Sequence, residues 1–293
     1  MINREVVTDI VHWSARTFSF KTTRNYPNKF YNGEFTMIGL ETGGKNIMRA
    51  YSIASANHED FLEFLSIKLD KGPLTSKLQK IKIGDEILIQ DKSTGTLVID
   101  YLKPGRNLYL LSTGTGLAPF MSIIKDPVTY ERFNKVVLTH TVPDSSQLAY
   151  LEELTLFNKR WDTITKNNFT YFNTLTRAPW DNIGRITQWV KEDRLHKAIK
   201  FEPISPQEDR FMVCGSLEFN KELIEYFSHI GLSEGNTSTQ GEYLVEKAFV
   251  VVLYTKIYSN INNKLPDTLI TGPYKEEKSY RTQLYLHWYT HHQ

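Results

Sequence analysis

The sequence predicts a β + α/β protein, in which an antiparallel β-barrel precedes a parallel sheet covered by helices. The chain has 293 residues, which is enough for two domains of roughly 150 residues each. In the N-terminal third, short alternating strands are separated by turns, whereas strands alternate with helices further on. We therefore expect a barrel at 1–101, an α/β domain at 102–250 and a tail at 251–293.

In the first domain, apolar and polar residues alternate over four short segments, as is typical of half-buried strands. Asn32-Gly33 and Gly43-Gly44 lie between segments and are dipeptides typical of hairpin turns. Short strands at this spacing favour an antiparallel barrel, with one short helix over 74–81. The predicted strands are "FTMIGLE" (35–41), "IMRAYSIA" (47–54), "FLEFLSIKL" (61–69) and "GDEILIQD" (84–91).

The second domain begins after "YLKPGRN" (101–107), where Pro104 and Gly105 mark the domain boundary. The alternation of strands and helices that follows predicts a parallel sheet with helices on both faces. The predicted strands are 107–112, 135–142, 169–176 and 210–215, and the predicted helices are 146–160, 186–198 and 217–230. Residues 251–293 fit neither pattern.

Composition narrows the functional class. The net charge of +2 is small, so nothing indicates a nucleic-acid partner. The single cysteine, Cys214, excludes an internal disulfide and a cysteine-based metal cluster, and we expect no metal site. No run reaches the roughly 18 apolar residues of a membrane span, and the N-terminal residues lack the apolar core of a signal peptide. We expect a cytoplasmic protein with no membrane partner.

The segment "STGTGLAPF" (112–120) follows the first strand of the predicted parallel sheet. Gly114 and Gly116 allow the backbone to approach a ligand closely, and free amides ahead of a helix suit a phosphate. A doubly wound sheet binds dinucleotides at this place. The segment is neither the GxGxxG fingerprint nor a P-loop, so an ordinary turn is the alternative interpretation.

A second candidate phosphate site is "KGPLTSKL" (71–78). Thr75 or Ser76 can cap the helix that follows, and the hydroxyls and amides there suit a phosphate. An ordinary capped helix crossing the barrel explains the same residues.

The strand segment "MRAYSIASA" (48–56) contains unexpected polar groups. With a period of two, Arg49 and Tyr51 project to one face and Ala50 and Ser52 to the other. The first pair offers a charge for a phosphate and a flat plate for a planar ring. A cross-strand aromatic beside a surface arginine is the alternative.

Three further residues lie at expected carboxyl ends of strands. Cys214, in "MVCGS", faces the same crevice as the glycine loop, although a lone buried cysteine is usually a small apolar residue. Arg177 and Arg185 follow the third strand of the parallel sheet, where they could bind a 2′-phosphate or simply be solvated.

Five segments occur in a characteristic order: "RAYSIAS", "GPLTSKL", "STGTGLAPF", "VCGS" and "GEYLVEKAFV". In this respect the chain resembles the bacterial ferredoxin–NADP reductase family over roughly residues 3 to 250. The resemblance implies a six-stranded barrel that binds FAD and a Rossmann-like parallel domain that binds NADP.

The resemblance also implies individual roles. Arg49 would meet the FAD pyrophosphate, Tyr51 would stack on the isoalloxazine, and Cys214 would pack beside the nicotinamide. Ser52 would sit near flavin N5, which it must reach from a twisted strand end or through its backbone. Tyr51, Ser52 and Cys214 are thus the implied catalytic residues. The other implied cofactor contacts are Ala50, Ile67, Lys68, Gly72, Leu74, Thr75, Ser76, Thr115, Gly116, Arg177, Arg185, Ala248 and Phe249.

The implied activity is electron transfer between NADPH, which gives a hydride to flavin N5, and ferredoxin or flavodoxin, which takes single electrons. Such carriers are acidic, so we expect a lysine patch near the flavin edge, with the lysines of 77–82 as candidates. A monomer is expected.

The sequence departs from the family at two places. The family often has an arginine near Pro143, where this chain reads "THTVPDSS", and residues 251–293 have no counterpart in the family pattern. An NADH-dependent reductase that serves an oxygenase through a separate ferredoxin is therefore an alternative. A non-catalytic nucleotide-binding module is a third.

Overall fold

The structure is a computed structural model that describes residues 1–25 and 29–246. Over these residues the chain forms a six-stranded antiparallel sheet followed by a five-stranded parallel sheet. The predicted β + α/β class is therefore confirmed. No helix among the described residues is long and apolar enough to cross a membrane.

The strands of the antiparallel sheet are β1 (Ile2–His12), β2 (Thr17–Thr23), β3 (Phe35–Thr42), β4 (Lys45–Ser52), β5 (Phe61–Ile67) and β6 (Glu86–Thr94). Their spatial order is β4-β3-β6-β1-β2-β5. A bridge between Ile53 and Phe64 joins the chain just after β4 to β5, so the two edges of the sheet meet. The interior of this barrel is filled by apolar side chains such as Phe18, Phe20 and Ile38.

The two predicted hairpin turns have different outcomes. Gly43 and Gly44 have φ of +57° and +74° and connect β3 to β4, as a two-residue hairpin requires. Asn32 and Gly33 do not form a hairpin, because β2 and β3 are not neighbours in the sheet. Gly33 instead has φ of +96°, and a Cβ atom there would lie 1.8 Å from the Leu97 carbonyl oxygen.

The alternation pattern did not identify β1 and β2. Most of β1 is exposed or half-exposed, with only Glu5 and Val7 buried. A strand with so few buried apolar positions carries a weak period-two signal. Its pairing with β2 and β6 comes from the tertiary fold.

The strands of the parallel sheet are β7 (Asn107–Thr113), β8 (Lys135–Val142), β9 (Phe169–Leu175), β10 (Asp209–Cys214) and β11 (Tyr243–Val245). Their order is β11-β10-β7-β8-β9, and all four pairings are parallel. The chain therefore starts in the middle with β7, moves outward through β8 and β9, and returns to the other side of β7 with β10. This reversal makes the carboxyl ends of β7 and β10 the topological switch point of the sheet.

Helices cover both faces of the parallel sheet, as predicted. One apolar layer contains Phe120, Leu138 and Phe157, and the opposite layer contains Val137, Trp189 and Leu223. The helices of this domain are α2 (Ala118–Ile124), α3 (Pro127–Arg132), α4 (Leu151–Thr155), α5 (Phe157–Arg160), α6 (Asp162–Thr165), α7 (Ile186–Lys191), α8 (Leu195–Ile199) and α9 (Leu217–His229), whereas α1 (Thr75–Leu78) packs in the barrel.

Two of the three predicted long helices are interrupted. The helix predicted at 146–160 is divided into α4 and α5 at Leu156, and its start is a 3₁₀ turn. The helix predicted at 186–198 is divided into α7 and α8 near Asp193, whose φ is +56°. A left-handed residue cannot continue a right-handed helix. The third prediction is confirmed by α9.

Arg210 connects the loop at the predicted domain boundary to β10. Its guanidinium is buried, and all its hydrogen-bond acceptors within residues 1–25 and 29–246 are backbone carbonyls. The acceptors are the carbonyl oxygens of Lys103, Pro104, Pro206, Gln207 and Asp209. The boundary loop is therefore a fixed part of the structure.

Polar contacts join the barrel to the parallel domain. The Gly33 amide donates to Ser122 Oγ of α2 at 2.9 Å, and the Tyr150 hydroxyl donates to Glu63 Oε1 of β5 at 2.8 Å. All four groups are buried, so both bonds form away from solvent.

Candidate functional site

The switch point brings together the two predicted nucleotide segments of the parallel domain. Ser112 at the end of β7 is in register with Cys214 at the end of β10. The chain then turns so tightly that a Cβ atom at Gly116 would lie 2.1 Å from the Cys214 carbonyl oxygen. Glycine is required here because no side chain fits between the two backbones. The Ser216 amide also donates to Thr113 Oγ1 at 3.2 Å.

The loop after β7 forms a 3₁₀ turn over Gly114–Leu117 that leads into α2. Gly114 is exposed, with φ of +53°, and a Cβ atom there would meet no neighbour. Glycine is favoured at this position because of its positive φ angle, and not because space is lacking. The amides of the first residues in such a turn have no partner within it, so the loop presents free donors at the switch point. Thr115 lies on this loop, as predicted.

His140 supports this loop from β8, and the sequence analysis missed it. Its Nε2 lies 3.1 Å from the Gly114 carbonyl oxygen, and its Nδ1 lies 3.4 Å from the Tyr171 hydroxyl. Burial lowers the pKa of His140 to about 4, although the hydrogen bond to Gly114 opposes this effect. The available signal was a histidine within the apolar strand "KVVLTHTV".

Cys214 is fully buried. Burial raises the pKa of its thiol well above the usual range, and the charge of Glu246 adds to this effect. The thiol is therefore protonated and is not a nucleophile. It is a small, polarisable group packed beneath the switch point.

On the barrel side, Arg49 and Tyr51 lie on β4 as predicted. Arg49 is half-exposed, and its guanidinium donates to the Met48 carbonyl at 2.6 Å. No ion pair to Arg49 is found in the described part of the chain, so donors remain for an anion. The Tyr51 hydroxyl is 3.0 Å from Ser66 Oγ of β5, which fixes the ring orientation. Burial raises the pKa of Tyr51, while Ser66 and Arg49 oppose this.

The other predicted contacts at the ends of β4 and β5 are at least partly exposed. Ala50 is exposed and Ser52 is half-buried at the end of β4. Ile67, at the end of β5, is 39% exposed. The Lys68 ammonium donates to the Ser14 carbonyl at 2.6 Å, so this charge lies against the β1–β2 turn.

The predicted capping role of Thr75 or Ser76 is wrong. Helix α1 begins at Thr75, and the N-cap residue is Leu74, which has no side-chain capping bond. Both hydroxyls therefore lie inside the first turn. Gly72 packs so closely that a Cβ atom there would lie 1.9 Å from Thr75 Oγ1. Gly72, Thr75 and Ser76 form a compact turn whose hydroxyls are half-exposed.

Apolar packing brings the barrel site close to the switch point. Ala54, two residues beyond Ser52, and Leu65, next to Ser66, belong to the same buried cluster as Leu117 and Cys214. Strand β5 of the barrel lies directly against the 3₁₀ turn at the switch point. The two predicted half-sites are thus neighbours.

The predicted phosphate arginines lie on the surface beyond β9. Arg177 is exposed, and its amide donates to the Pro143 carbonyl at 2.9 Å. Arg185 is also exposed, and its guanidinium lies 4.0 Å from Glu222. Hydrogen bonds from Ser146 and Gln147 keep the pKa of Asp144 below its usual value.

The predicted contacts Ala248 and Phe249 lie outside the described residues. A separate cavity of about 400 Å³ contains none of the predicted site residues. Its lining includes Lys125, whose Nζ lies 3.7 Å from Glu59 and 3.8 Å from Glu153. The Lys125 ammonium is thus paired within the protein, and we assign no ligand to this cavity.

The residues present fit two nucleotide cofactors. The barrel offers an arginine with spare donors, an anchored aromatic ring and a glycine turn with hydroxyls, as a flavin dinucleotide requires. The switch point offers free amides where glycines allow close approach, as a nicotinamide dinucleotide requires. Barrel and sheet together define a flavin-dependent and nicotinamide-dependent oxidoreductase.

Comparison with known proteins agrees with this class. The oxidoreductase FAD-binding domain family matches residues 6–97, and the oxidoreductase NAD-binding domain family matches residues 110–223. The chain is 48% identical over 253 residues to ferredoxin–NADP reductase of Azotobacter vinelandii, covering 85% of this chain and 98% of that protein. It is 43% identical over 250 residues to flavodoxin/ferredoxin–NADP reductase of Rhodobacter capsulatus, covering 84% and 93%.

A solved structure is also similar. The crystal structure of a ferredoxin NADP+ reductase from Neisseria gonorrhoeae with bound FAD and NADP has a TM-score of 0.74 and 29% identity. The match covers 84% of this chain and 98% of that chain. The chain belongs to the ferredoxin–NADP reductase family and is an oxidoreductase.

Proposed function

We propose that this chain transfers electrons between NADPH and a ferredoxin or flavodoxin through bound FAD. The observation that carries the proposal is that β5 of the barrel lies against the 3₁₀ turn of the switch-point loop, with Ala54, Leu65 and Leu117 in one buried cluster. This contact makes the two nucleotide half-sites neighbours. Direct hydride transfer needs the reacting atoms roughly 3 to 3.5 Å apart, so adjacent half-sites are a requirement of the reaction.

The side chains bind and orient rather than exchange protons. Arg49 neutralises the pyrophosphate, and Tyr51, fixed by Ser66, provides a plate for the isoalloxazine. Ser52, at the end of β4, lies at the ring edge. These residues would hold FAD, which would supply hydride acceptance from NADPH at N5 and single-electron release to the carrier. The other barrel contacts of FAD are Ala50, Ile67, Lys68, Gly72, Leu74, Thr75 and Ser76.

On the NADPH side, the amides around Thr115 and Gly116 bind the nucleotide. Cys214, buried and protonated, packs beneath the nicotinamide position in our proposal. Its thiol is not a competing nucleophile. Ala248 and Phe249 complete the flavin site in our proposal.

Two exposed arginines support NADPH over NADH. Arg177 and Arg185 can bind the 2′-phosphate bidentately. The opposing observation is the ionised Asp144. It follows Pro143, whose carbonyl accepts a hydrogen bond from the Arg177 amide. This carboxylate supports the second candidate, an NADH-dependent reductase working through a separate ferredoxin.

The carrier binds, in our proposal, near the ends of β5 and α1. Ile67 and Leu69 are 39% and 49% exposed there, and Lys71, Lys80 and Lys82 are exposed around them. An apolar centre with a basic rim suits a transient contact with an acidic protein. We propose that the protein acts as a cytoplasmic monomer.

The test is anaerobic mixing of the FAD-loaded protein with NADPH, observed at the flavin absorption band. Bleaching by NADPH and recovery on adding oxidised ferredoxin or flavodoxin are expected, in the full chain and in a chain ending at residue 250. A protein that does not take up FAD refutes the proposal. A much larger kcat/KM with NADH than with NADPH favours the second candidate.

A matched pair of variants tests the barrel site. Tyr51→Ala should release FAD, because the anchored ring is lost. Tyr31→Ala removes an exposed tyrosine of the same domain and should retain FAD. Equal FAD content in the two purified variants contradicts the assignment of Tyr51.

A further inference from the structure

His140 contacts the nucleotide loop through one defined tautomer. A carbonyl oxygen can only accept, so the 3.1 Å contact with Gly114 requires a hydrogen on Nε2. Nδ1 of a neutral ring is then an acceptor, and the Tyr171 hydroxyl, 3.4 Å away, is its donor. The ring thus connects β9 to the loop after β7.

The ring is neutral for a structural reason. His140 lies on β8, between β7 and β9, and is in register with Ser112 of β7 and Asn173 of β9. It is 1% exposed. Neither neighbour in register carries a charge, and the polar partners of the ring are the Gly114 carbonyl and the Tyr171 hydroxyl.

The bond to Gly114 sets the direction of the next amide. The peptide unit between Gly114 and Thr115 is planar and trans, so its C=O and N–H point in opposite directions. A carbonyl held by His140, beneath the loop, therefore turns the Thr115 N–H away from the sheet. A Cβ atom at Gly114 would meet no neighbour, so the contacts that fix this peptide plane are the 3₁₀ turn itself and the bond to His140.

We propose that His140 is a positioning residue for NADPH: as a neutral Nε2–H donor, it orients the Gly114–Thr115 peptide so that its amide faces the nucleotide. The proposal rests on the proposed function, in which the loop binds NADPH. It adds a residue that touches neither cofactor.

The test measures the dissociation constant of NADP+ on FAD-loaded protein by titration of the flavin spectrum. His140→Leu removes the donor, whereas glutamine in His140→Gln can place an N–H near the position of Nε2. Loss of one hydrogen bond corresponds to about a three- to tenfold rise in the dissociation constant. We expect this rise in His140→Leu and less than about a twofold change in His140→Gln.

Thr129→Val is the matched control. Thr129 Oγ1 is buried and donates to the Ile123 carbonyl at 2.7 Å, so the variant also loses a side-chain bond to a backbone carbonyl, but away from the loop. We expect it to bind NADP+ like the wild type. In His140→Leu, the apparent KM for NADPH should rise with the limiting rate of flavin reduction nearly unchanged.

Two outcomes overturn the proposal: wild-type affinity in His140→Leu, or equal weakening in His140→Leu and Thr129→Val. A further measurement reads the tautomer directly. In ¹⁵N NMR of histidine-labelled protein, the signals that are present in wild type and absent from His140→Gln should be those of a neutral Nε2–H ring that responds to NADP+, and a charged or Nδ1–H ring at these signals refutes the proposal. If wild-type FAD is not reduced by NADPH, the proposed function fails instead.

Discussion

Acidification should destabilise this protein through His140 in particular. The folded-state pKa of His140 is about 4, whereas an unfolded histidine titrates near 6.5. Between these values the unfolded chain binds more protons, so the free energy of unfolding rises with pH there. The contribution of His140 is fully present above about pH 6.5 and is lost as the pH falls towards 4.

The magnitude follows from the separation of about 2.5 pH units between the two pKa values, at about 1.4 kcal/mol per unit. The full loss below pH 4 is about 3.4 kcal/mol, and about 2 kcal/mol of it has occurred by pH 5. A native domain is stable by only about 5 to 15 kcal/mol. One buried imidazole should therefore have a measurable effect.

The assay is urea denaturation of wild type and His140→Gln at pH 7.5 and pH 5, with FAD in fixed excess. Glutamine does not titrate, and the other histidines are common to both proteins. Between the two pH values, the wild type should lose about 2 kcal/mol more than the variant. Equal losses in the two proteins, within about 0.5 kcal/mol, refute the reasoning.

Three further substitutions have defined outcomes. Gly116→Ala places a methyl group 2.1 Å from the Cys214 carbonyl oxygen; the dissociation constant of NADP+ should rise on the order of tenfold with FAD content unchanged, and unchanged binding contradicts this. Tyr150→Phe removes the donor to the buried Glu63 carboxylate, so urea denaturation should show a loss of about 1.5 to 3 kcal/mol, and full stability contradicts it. Arg210→Met removes the hydrogen-bond donors that hold the boundary loop. The free energy of unfolding should fall by about 3 kcal/mol and the thermal midpoint by roughly 6 to 12 °C, and a shift below about 2 °C argues against this role of Arg210.

Matched controls separate these effects from generic damage. Arg160→Met removes an arginine that is half-exposed, with a 3.4 Å ion pair to Glu152; the thermal midpoint should hardly change, because exposed pairs contribute little. Tyr31→Phe changes an exposed tyrosine and should not alter the free energy of unfolding. Gly43→Ala changes an exposed hairpin glycine away from the switch point and should not alter NADP+ binding.

Local patterns were most reliable where burial is regular. The apolar run at 135–142 predicts β8 with its observed bounds, because every residue from Val136 onward is buried. The glycine pair at 43–44 predicts the β3–β4 hairpin, because two consecutive positive φ angles need residues such as glycine. Such signals depend only on residues close in sequence.

Predictions failed where distant residues decide the outcome. Asn32-Gly33 has hairpin chemistry, but the strands on either side pair elsewhere. Asp193 interrupts a helical pattern with a left-handed residue. Thr75 lies one position too late to cap α1, since helix ends are not fixed by residue type alone.

By itself the sequence determined the class of each sheet, the glycine pair of the β3–β4 hairpin, the placing of Arg49 and Tyr51 on one strand and the order of the segments that mark the family. Only the tertiary structure decided which strands are neighbours, that the barrel and switch-point sites adjoin, and that His140 supports the nucleotide loop. The reason is physical: alternation, helical period and turn chemistry are local, whereas strand order, burial of a polar ring and contact between domains depend on residues far apart in the chain.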